Sequence, residues 1–384
     1  MAIKQFIDSF KDEIISAAGA LDRLDKVVIF GAGNAGRYAK NYLEKNRKEV
    51  LFFCDNDPKK QGMSIDSVKV FGPQKLLTHD NYVCIASDWA REIALQLRDM
   101  GIKNYFDFGP LSNLQSDNGG SGENGDLHES ERWKEHFNPD IIFNHLEEIE
   151  NVYNLLEDEW SKKTLLSIIR YRLTLDPACL EIASFEPYHN PMVSPETGDI
   201  IIDGGAWIGD TALNFARGLD LKCSIFSFEP ETKNYHSLLE MIKEEGLDSI
   251  IVPVRAGLWS DDCHLFLHTS KDTKQHHMSS QGDERVDLLC LDTFLSTRNS
   301  TVDLIKMDIE GAELEALTGA RKAIRRYGPK LQVCVYHKAS DLWDIPLFIK
   351  SMNPQYTFYL GHHTQILFET ILYAAPDERP VHDR

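Results

Sequence analysis

Two glycine turns constrain the fold of this chain more than any other feature. The first, Gly31, Gly33 and Gly36 in VVIFGAGNAGR, closes a short apolar run and opens a helical stretch; Asp55 follows nineteen residues after Gly36. The second, Asp203, Gly205 and Gly209 in IIIDGGAWIGDTALNFARG, repeats the arrangement with different spacing, and Glu229 falls twenty residues after Gly209. A strand, a glycine turn, a helix and a second strand ending in an acid open a Rossmann-type βαβ unit. Backbone N–H groups at the helix start meet the ligand there, and the acid accepts hydrogen bonds from ribose hydroxyls. Two such openings predict two parallel sheets, in keeping with a chain of 384 residues and the usual size of one domain.

The pattern between the turns supports that division. KVVIF, VLFFC, NYVCIAS and KNYFDF alternate with helical stretches as far as Leu111, a small α/β domain over residues 1–111. Residues 112–130, SNLQSDNGGSGENGDLHES, lack apolar periodicity and read as a flexible linker. Residues 131–187 are rich in helix formers and predict a helical connector. From Ile200 onward IIID, IFSFE, IIVPV, DLIKMD, LQVCVYH, TFYLGHH and ETILYAA supply seven strands over residues 188–384, the last two suited to an antiparallel hairpin.

Composition narrows the partners. A formal net charge of −19 disfavours phosphate backbones and anionic membranes, so no nucleic acid and no membrane surface are expected. No stretch approaches ~18 apolar residues, and the first 26 residues read as one acidic amphipathic helix rather than a signal peptide. Seven cysteines without CxxC or metal spacing read as reduced core residues of a cytoplasmic protein. A small-molecule substrate is the natural partner, and a homodimer is compatible with this reading.

At the first turn, Gly31, Gly33, Asn34, Gly36 and Asp55 are the candidate nucleotide-binding residues. FGAGNAGR, CDNDPKKQG and VKVFGPQKL resemble small amino-terminal nucleotide-sugar-binding domains of sugar-modifying enzymes, which implies a nucleotide, a nucleotide sugar or NAD(P) as ligand. The domain is short and lacks a second mononucleotide half, so a purely structural role is the competing reading.

The second turn is D-x-G-x-x-x-G, which suits S-adenosylmethionine. There is no pyrophosphate to cradle, and Glu229 can accept both ribose hydroxyls, while neighbouring carboxylates favour a sulfonium cation. DGGAWIGDT, FSFEPE, DLLCLDTFL, DLIKMDIEGAELEAL and ETILYAA together resemble the FkbM family of S-adenosylmethionine-dependent methyltransferases, over roughly Tyr188 to Ala375. Trp207 departs from that pattern, since many members carry Asn there. The resemblance implies a class I methyltransferase fold with a Rossmann-like seven-stranded sheet, beside the smaller amino-terminal α/β domain. It also implies methylation of a hydroxyl on a sugar, a nucleotide-linked sugar or a natural product, within carbohydrate biosynthesis. Carried over by motif, the donor-binding residues are Asp203, Gly204, Gly205, Ala206, Gly209, Asp210, Thr211, Glu229, Pro230 and Asp308.

Strand alternation predicts Lys306, Asp308 and Glu310 on one side of DLIKMDIEG. With His337 they form the candidate catalytic group, Asp308 and His337 as proton acceptors; Glu310 also suits the helix beginning near Gly311. His362 and His363 end a neighbouring strand, and His276 and His277 lie in a polar loop. Nothing demands a metal ion. Two rival readings remain: an NAD-dependent oxidoreductase or epimerase at the first turn, where no Tyr-x-x-x-Lys pair is evident, and a non-catalytic nucleotide-sensing protein.

Overall fold

A computed structural model describes residues 3–112, 134–268, 277–279 and 284–377. Residues 113–130 of the segment read as a linker and His276 lie outside these residues, whereas Ser112 closes the short helix Gly109–Ser112. The chain divides into two compact units. The first comprises Met1–Glu147, Lys163–Ile182 and Thr364–Phe368, the second Glu148–Lys162, Ala183–His363 and Glu369–Arg384. The helical stretch 131–187 is thus shared between the units, and helix Glu159–Thr174 contributes residues to both.

In the first unit, β1 (Lys26–Phe30), β2 (Glu49–Cys54), β3 (Ser64–Ile65), β4 (Val68–Phe71), β5 (Tyr82–Ile85) and β6 (Tyr105–Asp107) form a six-stranded sheet ordered β3-β4-β2-β1-β5-β6. All pairings are parallel except the β3–β4 hairpin. Strand β1 is buried along Val27 to Phe30, as a central strand covered on both faces must be. The single amino-terminal helix expected from the sequence is instead three short pieces, Ile3–Asp8, Lys11–Glu13 and Ala17–Asp22. Ser16 causes the last break: its hydroxyl accepts the Gly19 N–H and restarts the helix as an N-cap, while Ile15 N–H turns away to the Leu173 carbonyl.

In the second unit, β7 (Ile200–Gly204), β8 (Ser224–Phe228), β9 (Ile251–Val254), β14 (Leu304–Met307), β15 (Lys330–Cys334), β16 (Tyr356–His362) and β17 (Thr370–Pro376) form the main sheet. Its order is β16-β17-β15-β14-β7-β8-β9, and only β17 runs antiparallel to its two neighbours. This is the expected seven-stranded sheet with a terminal hairpin. Between its halves in sequence lies a small second sheet the periodicity did not announce, built from β10 (Gly257–Trp259), β11 (Cys263–His268), β12 (His277–Ser279) and β13 (Glu284–Cys290) in the order β10-β13-β11-β12. Ile201, Ile225 and Leu304 lie in the apolar core of the main sheet.

From β7 the chain builds outward to β8 and β9, then returns to place β14 on the other side. The crevice above the carboxyl ends of β7 and β14 is therefore the topological switch point, where open α/β sheets hold ligands. The register sets Lys306 beside Asp203 and Met307 beside Gly204, so the residues closing the two strands share one edge of that crevice.

All seven cysteines are free, and Cys54, Cys84, Cys223 and Cys334 are buried. No helix among the described residues is long and apolar enough to cross a membrane.

Candidate active site

The second glycine turn is held shut by close packing. Gly205 has φ +74°, and a Cβ there would fall 1.8 Å from the Asp308 carbonyl oxygen, so only glycine lets the turn lie on the loop after β14. Gly209, at φ +92°, is the left-handed N-cap of helix Asp210–Gly218. Ala206 is buried, its N–H donating to the Phe228 carbonyl at 2.9 Å.

Beneath the turn, Lys306 and Asp203 form a buried ion pair at 3.1 Å. The ammonium also donates to the carbonyls of Gly204 (3.1 Å) and Gly205 (2.7 Å), and Asp203 accepts from Ser227 Oγ at 3.3 Å. Burial works against the lysine charge, but Asp203 and Asp308 hold its pKa above the ordinary range. Lysine 306 thus pairs with Asp203 rather than with Asp308, and it ties the turn to β14.

Above the turn opens a cavity of about 870 Å³. Of the motif residues, Gly205, Asp210, Thr211, Glu229, Pro230, Lys306, Asp308 and Glu310 line it; Asp203, Gly204, Ala206, Gly209 and His337 stand behind the wall. Glu229 is fixed at both oxygens, accepting the N–H of Trp207 and of Glu231, each at 2.9 Å. Burial outweighs those two hydrogen bonds and raises its carboxyl to about 7.

Strand alternation does not carry Asp308 and Glu310 into the cavity, because β14 ends at Met307. Glu310 (φ +56°) and Gly311 (φ +91°) turn the chain into the left-handed region, and the loop presents both carboxylates. Asp308 accepts hydrogen bonds from the hydroxyls of Tyr188 (3.0 Å) and Tyr336 (3.2 Å) and lies 3.4 Å from His337 Nε2. Burial opposes its charge, yet His337, Lys306 and Tyr188 keep its pKa below the usual carboxylate range. The helix expected near Gly311 starts at Glu313, and Glu313 rather than Glu310 opens it, accepting the Ile309 N–H at 3.0 Å. Its Oε1 is also 2.9 Å from His337 Nδ1.

His362 and His363 do not reach the cavity. His362 is buried against Thr370 Oγ1 at 2.9 Å, and His363 is held by the Phe185 carbonyl (3.1 Å) and the Tyr373 hydroxyl (3.0 Å). Four site residues escaped the sequence reading: Tyr188, Tyr336, Glu313 and Glu369. Glu313 ends the run DIEGAE and Glu369 begins ETILYAA, so both sat inside quoted motifs without a role. Glu369 lines the cavity, and burial, then the neighbouring Asp308 charge, raises its carboxyl to about 7.

At the first turn, Gly31 (φ +121°) passes the Ala86 carbonyl so closely that a Cβ would come within 2.2 Å, and a Cβ on Gly36 would meet the Gly31 carbonyl at 1.8 Å. Gly33 is the N-cap of helix Asn34–Lys45 and faces open space. Asp55 accepts the Ala32 N–H (2.8 Å), the Asp57 N–H (2.8 Å) and Lys60 Nζ (2.9 Å). Burial raises its pKa, but these hydrogen bonds bring it below the ordinary value. Both units therefore use one clasp: the acid after the second strand grips a backbone N–H of the turn after the first. No group of His, Cys, Asp or Glu able to hold a metal ion occurs among the described residues.

Comparison with known proteins agrees with this geometry. Residues 23–106 match the amino-terminal domain family described as C2185-like, and residues 203–368 match the Methyltransferase FkbM domain. A hexuronic acid methyltransferase of Haloferax volcanii is 26% identical over 133 residues, 34% of this chain and 53% of that protein. A redox-sensing transcriptional repressor Rex of Caldicellulosiruptor bescii is 32% identical over 97 residues, 23% of this chain and 45% of that protein. The chain thus spans about half the length of these curated relatives. The crystal structure of a methyltransferase FkbM from Methylobacillus flagellatus shares the fold at a TM-score of 0.68 and 22% identity, over 97% of this chain and 98% of that one. By its motifs, its seven-stranded sheet and this profile match, the segment from residue 203 to residue 368 belongs to the FkbM methyltransferase domain family.

Proposed function

We propose that the protein transfers a methyl group from S-adenosylmethionine to a hydroxyl oxygen of a small, sugar-like acceptor in the second unit. The observation that carries this reading is the cavity at the switch point, walled on one side by Glu229 and on the other by Asp308, Glu310 and Glu369. Glu229 fits the donor: it is a buried carboxylate pre-oriented by the Trp207 and Glu231 N–H groups, and its ionised form accepts hydrogen bonds from two ribose hydroxyls. Asp210, Thr211 and the Gly205–Gly209 turn would hold the amino-acid moiety. The acidic wall favours a sulfonium cation. When bound, S-adenosylmethionine supplies an electrophilic methyl group whose carbon–sulfur bond breaks as the bond to the acceptor oxygen forms, leaving a neutral thioether.

The acceptor's hydroxyl proton must go to a side chain or to water. Glu369, raised to about 7, is matched to take it near neutral pH, while Asp308, held ionised and hydrogen-bonded, orients the acceptor. The hexuronic acid methyltransferase supports a sugar acceptor. In the first unit, the open face at Gly33 beside Asn34 suits a nucleotide phosphate. An oxidoreductase reading finds less support, since Asp55 and Lys60 engage each other.

Calorimetry of the full chain with S-adenosylmethionine tests the assignment. Micromolar binding that Glu229→Ala abolishes is expected, followed by S-adenosylhomocysteine release with one of glucose, glucosamine or glucuronate. A folded wild-type chain that binds no donor overturns it.

A further inference from the structure

Behind the acceptor side of the cavity lies a buried acid and imidazole that the reaction as drawn does not use. Glu313 is fully buried, and its Oε1 lies 2.9 Å from His337 Nδ1 while accepting the Ile309 N–H. The His337 side chain is 4% exposed and is not part of the cavity wall. Its Nε2 points the other way, 3.4 Å from Asp308 Oδ1 and 3.7 Å from Glu310 Oε2, the two carboxylates that are in the wall.

We propose that Glu313 and His337 are positioning residues of the methyl-transfer cavity: ion pairing with Glu313 at Nδ1 fixes the imidazolium ring, and its charge, presented at Nε2, holds Asp308 and Glu310 in place. The inference rests on the methyltransferase reading of that cavity. It assigns His337 a different role from the proton acceptor expected from the sequence. A ring nitrogen facing two carboxylates is placed to donate, and a lone pair there would be repelled by both.

The surroundings support a donor at both nitrogens. Glu313 faces the ring from the start of helix Glu313–Gly319, Asp308 and Glu310 from the loop after β14, and Glu369 from the head of β17. Asp341 faces it from the first turn of helix Asp341–Met352, near Lys338, and Lys306 stands beyond Asp308. Tyr336 stacks against the ring with centroids 4.2 Å apart. Burial alone would lower the imidazole pKa, but the charges of Glu313, Glu310 and Asp308 raise it to about 10.

The test is a titration of histidine-labelled full-length protein followed by ¹⁵N NMR, with His337 assigned through His337→Gln. It is run on wild type, Glu313→Gln, Glu313→Asp and, as a control, Glu315→Gln, which removes the same charge from an exposed position in the same helical turn. Expected is a wild-type His337 signal with both nitrogens protonated through neutral pH. In Glu313→Gln the midpoint should fall by about one unit or more. Glu313→Asp, which keeps the charge but shortens the reach, should change the Nδ1 signal, and Glu315→Gln should leave both readouts in place. Calorimetry with S-adenosylmethionine alone should give donor affinity within about twofold of wild type in both Glu313 variants, since His337 acts on the acceptor side.

An unmoved His337 signal in either folded Glu313 variant, or an equal movement in Glu315→Gln, overturns the proposal. So does a wild-type His337 that is neutral at pH 7. Absence of donor binding in wild type would instead remove the methyltransferase reading, and the NMR titration would still report the pair.

Discussion

Four residues of the cavity wall, Tyr188 (φ +64°), Trp207 (φ +48°), Glu310 (φ +56°) and Glu369 (φ +61°), hold a left-handed backbone that L side chains avoid. Strain of this kind persists where surrounding packing over-determines it, and four of the eleven non-glycine residues with positive φ among the described residues line this one cavity. Position 207 is instructive because many members of the family this segment resembles carry Asn there, a residue that tolerates this conformation, whereas this chain has Trp. Trp207→Asn is expected to raise stability by about 1 kcal/mol, read from denaturant midpoints; unchanged or lower stability would mean that the ring's contacts outweigh its strain. Glu229 makes a second prediction at this scale. Its carboxyl takes up a proton near pH 7 in the free protein, and hydroxyl donors need the ionised form. Donor affinity should therefore be full above about pH 8 and fall by up to ~10-fold per unit as pH drops below 7. Glu229→Gln should bind weakly at every pH, with a flatter profile. Calorimetry across pH 5.5 to 8.5 decides the matter.

Among the elements, the seven strands of the second unit's main sheet and four of the six in the first unit were legible because each is a short apolar run closed by a turn residue; the short hairpin strands Ser64–Ile65 and Val68–Phe71 were not. What escaped was set by pairings and turns that carry no local period. The β10-β13-β11-β12 sheet depends on pairings that no local period encodes, and the left-handed turn at Glu310 cancels the alternation that seemed to project Asp308 and Glu310 from a strand. Glu313 was readable as a helix-opening acid, but its partner His337 arrives from the segment after β15. The candidate donor turn was legible in its glycines, whereas its anchor was not: Lys306 reaches under it from β14 to Asp203. Lys306→Met should leave Asp203 buried without its cation and destabilise the protein by about 3–5 kcal/mol. Asp203→Asn combined with Lys306→Met should recover part of that loss, a coupling that chemical unfolding of the three variants measures. Strict additivity would show that the pair does not act as a unit.

On the scale of the whole molecule, the two units have separate cores, yet the chain passes between them more than once. Ser161 shows the consequence. It precedes the main body of the second unit in sequence, but its buried hydroxyl accepts the Leu360 N–H at 2.9 Å. Scanning calorimetry should resolve two transitions, only one of them raised by S-adenosylmethionine, by about 2.7 kcal/mol at a hundredfold excess over Kd. Ser161→Ala should lower that same transition by ~1–3 kcal/mol, because it strands a buried N–H. A single transition that the donor moves as one would show that the units unfold together.

Strand β17 occupies the interior of its sheet although it comes last in the chain. Until β17 has emerged from the ribosome, β15 keeps an unpaired edge, and the cavity lacks Glu369, the last of its wall residues to be made. A nascent chain can therefore close the glycine turn after β7 well before it completes the cavity wall. During that interval it carries an exposed strand edge, the period in which chaperone contact would matter most.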